Sequence, residues 1–200
     1  SSVERCAKIT RRLLSFTRNS GVTTQRIDLG ETIHEVLGFL SKEAEYRSFH
    51  ISVHVDEDVP QITSDQGRLQ EILLNVINNS FAAMQDEGHL QVTVRRHKEQ
   101  SVSVTVKDDG CGIPKADLER VFEPFFSTRT GKGGTGLGLS ITSGMVQELG
   151  GDIRVESEVG KGTSFTITLP IETEKKDKPS IKDALGRRRT RTGRYARGET

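Results

Sequence analysis

Val102-Ser103-Val104-Thr105-Val106-Lys107-Asp108-Asp109-Gly110-Cys111-Gly112-Ile113-Pro114 is the stretch whose reading decides the fold. Apolar and polar residues alternate from Val102 to Val106, the period of a half-buried strand. That strand delivers Asp108 at its end, directly before Gly110 and Gly112. A carboxylate only accepts hydrogen bonds. At the wall of a cavity such a group can take an exocyclic amine, such as that of adenine, and reject a carbonyl, such as that of guanine. Glycines allow the backbone to come close to such a base. Taken alone, an Asp-Gly stretch reads more readily as a plain tight turn, so the neighbouring segments decide its meaning.

Upstream lies Glu71-Ile72-Leu73-Leu74-Asn75-Val76-Ile77-Asn78-Asn79. Leu69, Ile72, Leu73, Val76 and Ile77 follow the spacing of a buried helix face. Glu71, Asn75 and Asn79 stand four apart and form a polar stripe beside it. Asn is unfavourable inside a helix, so several of them in one turn and a half suggest a use. Downstream, the residues 115–134 predict a long segment with one short helix around Asp117 to Val121. Long loops in compact domains are functional or disordered. Phe122-Glu123-Pro124-Phe125-Phe126-Ser127-Thr128-Arg129 gives it an apolar anchor, and Arg129 and Lys132 give it charge for phosphates. Gly134-Thr135-Gly136-Leu137-Gly138-Leu139 then opens a helix expected from Leu137 to Leu149. Glycines ahead of a helix N-terminus present free N–H groups to an anion. Gly160-Lys161-Gly162-Thr163 follows, ahead of a last strand.

In this order and spacing the segments resemble the N, G1, F, G2 and G3 boxes of sensor histidine kinases of two-component systems. These kinases share an ATP-binding superfamily with gyrase, chaperone and mismatch-repair ATPases. The resemblance covers most of residues 20–170. It implies an α+β, two-layer sandwich with a mixed, mostly antiparallel sheet and a long ATP lid. It implies ATP and Mg²⁺ as cofactors, Asn79 as the metal ligand with Asn75 beside it, and Asp108, Gly110, Gly112 and Ile113 around the adenine. Arg129, Lys132, Gly134, Thr135, Gly136, Leu137 and Gly138 fall on the lid and the phosphate-facing helix start. Thr163 matches the family's Thr near the adenine, and reads nearly as well as a plain strand residue. The implied activity is transfer of the ATP γ-phosphoryl to a histidine on a dimerisation helix. Relay to an aspartate of a response-regulator receiver domain follows, in a parent protein that is a homodimer.

Departures from the pattern keep two rivals open: an ATPase of the gyrase or mismatch-repair type, and a nucleotide-binding module without turnover. Some histidine kinases carry Lys and an aromatic three and four residues after the metal Asn, where this sequence has Ala82 and Ala83. None of His34, His50, His54, His89 and His97 sits in the context of a phospho-acceptor. The expected chain therefore lacks the acceptor histidine and its helix. Gly131-Lys132-Gly133-Gly134-Thr135-Gly136 also fits a dinucleotide-binding fingerprint, but no strand precedes it and no βαβ unit encloses it.

Three parts are expected: the end of a dimerisation helix and a linker (1–20), the catalytic domain (21–171) and a basic tail (172–200). In the first, Cys6, Ile9, Leu13 and Phe16 form a seam, either for a partner helix or for the chain's own domain. The tail holds ten Lys/Arg against five Asp/Glu, so a formal net charge of +1 leaves −4 for the remainder. A slightly acidic body argues against a nucleic-acid surface. With two cysteines the chain has no disulfide framework and fits a reducing compartment. No run approaches the length of a membrane span. The expectation is a cytoplasmic piece without membrane contact of its own, whatever anchors the parent protein.

Overall fold

The computed structural model describes residues 24–128 and 135–172. The first helix and linker, the tail beyond Glu172, and Arg129, Lys132 and Gly134 lie outside these.

Chain order is β1 (Gln25–Ile27), α1 (Leu29–Tyr46), β2 (Phe49–Val55), β3 (Ile62–Ser64), α2 (Gln66–Met84), β4 (Gly88–Lys98), β5 (Ser101–Asp108), α3 (Lys115–Leu118), α4 (Gly138–Glu148), β6 (Asp152–Glu158) and β7 (Gly162–Pro170). Five strands form one sheet in the order β2-β4-β5-β7-β6, and β1 pairs separately with β3. In the large sheet β2 runs parallel to β4, while the other three pairings are antiparallel. A mixed, mostly antiparallel sheet beneath helices is the layering the sequence implies.

Strand alternation builds the core. Leu90, Val92 and Val94 of β4, Val102, Val104 and Val106 of β5, and Phe165, Ile167 and Leu169 of β7 are all buried. The helices close over them with matching stripes: Ile33, Val36, Leu40 and Ala44 of α1, Leu69, Ile72, Leu73, Val76, Ile77 and Phe81 of α2, and Met145 and Val146 of α4. An Arg68–Glu148 ion pair also ties α2 to α4. Each long helix near the N-terminal half starts on an aspartate: Asp28 Oδ1 accepts the Glu31 N–H at 3.0 Å and Asp65 Oδ1 that of Arg68 at 3.0 Å.

Leu29 begins α1, because Asp28 caps the helix there. Two local expectations change. The short helix after Pro114 covers Lys115–Leu118, earlier than the predicted Asp117 to Val121. Phe125 does not anchor its segment: it is 77% exposed, with φ of 67°, while Phe122 packs on the core.

Candidate functional site

Register places a carboxylate on the core side of the sheet. Val102, Val104 and Val106 face inward, so Asp108, two residues on, faces inward too. Its cross-strand partner is Thr163, two residues before inward-facing Phe165. Asp108 is 2% exposed. Its Oδ1 accepts the Gly110 N–H at 3.0 Å and the Thr163 N–H at 3.2 Å. Its Oδ2 is buried and has no hydrogen-bond partner among the described residues. Burial pushes the carboxyl above its ordinary value of 3.8, against the opposing pull of Ser80 and of the Gly110 and Thr163 N–H groups. Ser80 reaches this spot from α2; its hydroxyl, fully buried, makes no hydrogen bond of normal geometry. Ser80 thus pulls on the carboxyl without a well-formed hydrogen bond, and a ligand or solvent at this buried spot would complete the pairing.

The turn after Asp108 is packed too closely for side chains. A Cβ on Gly110 would stand 2.7 Å from the Ala83 carbonyl carbon. Gly112 has φ of 70°, and a Cβ there would meet the Glu158 oxygen at 2.1 Å. Cys111 between them donates its N–H to Ala83 O at 3.1 Å and accepts the Gly160 N–H at 2.9 Å. Ser157 Oγ accepts the Ile113 N–H at 2.8 Å, donates to Gly162 O at 2.8 Å and lies 3.0 Å from Thr163 Oγ1. Asp109 turns away to His89, accepting its N–H at 2.8 Å and lying 2.9 Å from its Nδ1. Partial burial alone would raise the Asp109 carboxyl, but the His89 contacts outweigh it and hold it below its ordinary value.

A cavity of about 370 Å³ opens beside Asp108. Asn75, Asn79, Gly112, Ile113, Thr135, Gly136, Gly138 and Thr163 join Asp108 in lining it. Gly110 lies behind the wall against Ala83, and Leu137 turns into the protein as a buried residue. The half-buried Asn75 and Asn79 amides make no hydrogen bond among the described residues. At the far side α4 starts at Gly138 after Leu137, with no side-chain cap. Its first N–H groups are therefore unanswered by any capping side chain, which suits an anion. A Cβ on Gly138 would meet nothing within 4 Å. Gly136 is different: its φ is 67° and a Cβ would lie 2.4 Å from the Phe125 carbonyl carbon. There Phe125 donates its N–H to Gly136 O at 2.9 Å.

Further wall residues were not assigned to the site from the sequence. Ala82 and Ala83 line the cavity with Cys111, Asn78, Phe126 and Leu139. Ser80 had a readable signal: it continues the buried stripe of Leu73, Val76 and Ile77. Among the described residues no group of three or more His, Cys, Asp or Glu could hold a metal ion. None of their helices is long and apolar enough to cross a membrane.

Known proteins share this arrangement. Residues 64–173 match the family model described as histidine kinase-, DNA gyrase B-, and HSP90-like ATPase. The sensor histidine kinase ZraS of Klebsiella oxytoca is 34% identical over 174 residues, covering 87% of this chain and 37% of that protein. The chain thus spans a little over a third of the length of that relative. The nucleotide-free catalytic domain of histidine kinase ThkA superposes with a TM-score of 0.69 at 29% identity, covering 76% of this chain and 99% of that one. ThkA in complex with the response regulator protein TrrA gives a TM-score of 0.73 at 25% identity, covering 88% of this chain and 50% of that one. With a family match over more than half its length and a buried aspartate facing a cavity between α2 and the start of α4, the chain belongs to the histidine kinase-, DNA gyrase B- and HSP90-like ATPase family, as an ATP-binding domain of the histidine kinase type.

Proposed function

We propose that the chain is the catalytic domain of a sensor histidine kinase, which binds Mg²⁺-ATP and transfers the γ-phosphoryl to a histidine on a dimerisation helix. A receiver-domain aspartate of a response regulator then takes the phosphoryl, and the parent protein acts as a homodimer. The observation that carries this reading is the Asp108 Oδ2, buried and without a partner at the cavity wall. It is an acceptor awaiting a donor, and the adenine amine supplies one.

In this reading each residue has a task. Asp108 takes the adenine amine, while Gly110, Gly112 and Ile113 let the chain turn closely around the base. Thr163, whose N–H holds Asp108 in place, supports the same end of the cavity. The uncapped start of α4, with Thr135, Gly136, Leu137 and Gly138, receives the phosphates. Arg129, Lys132 and Gly134 serve the phosphates from the lid. Asn79, a half-buried amide without a hydrogen-bond partner among the described residues, suits Mg²⁺, which keeps phosphate and water oxygens for most of its ligands. Bound there, Mg²⁺ neutralises charge on the phosphate oxygens. Transfer of this kind rests on positioning and charge neutralisation rather than on covalent catalysis by the protein. Asn75 occupies the place where the gyrase-like branch has a Glu that orients the attacking water. An amide is no general base, which favours retention of ATP for a histidine over its hydrolysis.

Labelled ATP tests the reading. The chain alone is expected to bind ATP in preference to GTP, with magnesium strengthening binding and Asn79→Ala removing that increment. Label is expected to stay off the chain until a separate dimerisation domain bearing the acceptor histidine is added. Acid-labile label on His34, His50, His54, His89 or His97 in the isolated chain, or brisk ATP turnover abolished by Asn79→Ala, would overturn the kinase reading.

A further inference from the structure

Cys111 stands between the two glycines of the adenine turn, and its thiol is free and exposed. It lines the same cavity as Asp108 and Asn79. That the cavity takes a ligand rests on an observation independent of the thiol: Asp108 is 2% exposed, yet its Oδ2 has no partner. Cysteine in proteins is mostly a small buried hydrophobe. An exposed one is not explained by packing, and among the described residues there is no second cysteine for a disulfide.

The backbone holds Cys111 in the turn that borders the cavity. Hydrogen bonds to Ala83 O at 3.1 Å and from Gly160 N at 2.9 Å hold Cys111 on both sides. A Cβ on either neighbouring glycine would strike backbone atoms, of Ala83 or of Glu158, within 3 Å. Ala82 and Ala83, which line the cavity with it, carry only methyl side chains, so the cavity has room for a group attached to Cys111.

We infer that Cys111 is a reversible thiolation site that closes the nucleotide cavity, an inference that rests on the nucleotide reading of that cavity. The reaction partner is a low-molecular-weight disulfide. The Cys111 sulfur attacks one sulfur of that disulfide, a new S–S bond forms, and the old one breaks. The leaving thiolate takes up the proton that Cys111 gives up. Cys111 is oxidised and the small disulfide reduced by the same two electrons. A free thiol reverses the exchange. A glutathionyl group is comparable in size with adenosine, so the adduct and the nucleotide compete for one space. Binding of the nucleotide domain then follows the thiol–disulfide balance of its surroundings.

The experiment uses the full chain carrying Cys6→Ser, which leaves one thiol, beside the unaltered chain with adducts assigned by peptide mass mapping. Binding of a fluorescent ATP analogue is titrated before and after treatment with oxidised glutathione. The untreated chain is expected to bind. The adduct is expected to lose affinity by about tenfold or more, and dithiothreitol restores it. Saturating Mg²⁺-ATP slows adduct formation, and Cys111→Ser binds the analogue but ignores the disulfide. An adduct mapped to Cys111 with unchanged affinity overturns the inference, as does failure of Cys111 to form one. If the untreated chain binds no ATP analogue, the nucleotide reading falls first and this inference with it. An adduct without effect on a binding-competent chain sinks only the thiol.

Discussion

Replacing Asp108 by Asn separates what the buried carboxylate does for binding from what it costs the fold. The substitution keeps shape and can keep the two N–H groups of Gly110 and Thr163 on the remaining oxygen. At Oδ2, which has no partner, it puts an NH₂ group. That group can find the unanswered Ser80 hydroxyl, but it offers a donor where the adenine amine needs an acceptor. A buried mismatch of this kind costs about 1–3 kcal/mol, or about 5- to 150-fold in ATP affinity. Stability moves the other way. Burial raises the Asp108 pKa above its ordinary 3.8, so folding favours the protonated form. Its contribution is fully present below the unfolded value and is lost as pH rises through the higher folded value. Toward neutral pH the buried carboxyl is thus a burden, and Asp108→Asn is expected to raise the Tm of the nucleotide-free chain. The gain shrinks as pH falls toward the unfolded carboxylate pKa. Calorimetric titration with ATP and thermal melts at neutral and acid pH read both effects on one preparation. Unchanged ATP affinity would remove Asp108 as the adenine reader. A lower Tm at neutral pH would show that the carboxylate is satisfied in the free protein.

Two glycines of the site should respond in opposite ways. Gly112→Ala, with φ of 70° and a Cβ 2.1 Å from Glu158 O, is expected to lower stability by more than about 2 kcal/mol in denaturant unfolding. Gly138→Ala has open space around its Cβ and helix propensity on its side, so stability gains up to about 1 kcal/mol while ATP affinity falls; equal losses at both sites would contradict the geometry. Asn75→Glu is expected to raise steady-state ATP hydrolysis over a negligible starting rate, with about 10²- to 10⁴-fold as the scale of general-base assistance. Phosphate release measured with and without Asn79→Ala checks that the added turnover uses this site.

Much of the fold was legible because its signals are local. Period-two alternation through Val102, Val104 and Val106 already fixes the side of the sheet on which Asp108 falls. The Leu69, Ile72, Leu73, Val76 and Ile77 stripe likewise fixes which face of α2 is left for Asn75 and Asn79. The start of α1 is equally local, since Asp28 and Glu31 stand at capping-box spacing. The outward turn of Phe125 had no local signal. It follows from a hydrogen bond to Gly136, eleven residues on, which the phenylalanine-rich composition around it does not reveal. The parallel pairing of β2 with β4 is likewise non-local, with β3 and α2 between them. Around the cavity, residue types pointed to Asp108 and the glycines. That Ser80 shares the buried spot beside Asp108 emerges only when α2 is laid on the sheet.

The Phe125–Gly136 hydrogen bond has a bearing on how this domain can vary. It closes the intervening chain into a ring, and Gly136 lacks the Cβ that would prevent so close an approach. Phe126, just inside the ring, adds a second tie, its N–H donated to Glu123 O at 3.3 Å and its ring under the Arg120 guanidinium. Closing a longer ring is inexpensive, about 0.6 kcal/mol for each doubling of length. Insertions between Thr128 and Thr135 are therefore expected to cost little, while the turn where Gly110, Gly112 and Gly162 are hemmed in by backbone tolerates almost no change. One half of the cavity is free to diversify and the other is held still by sterics.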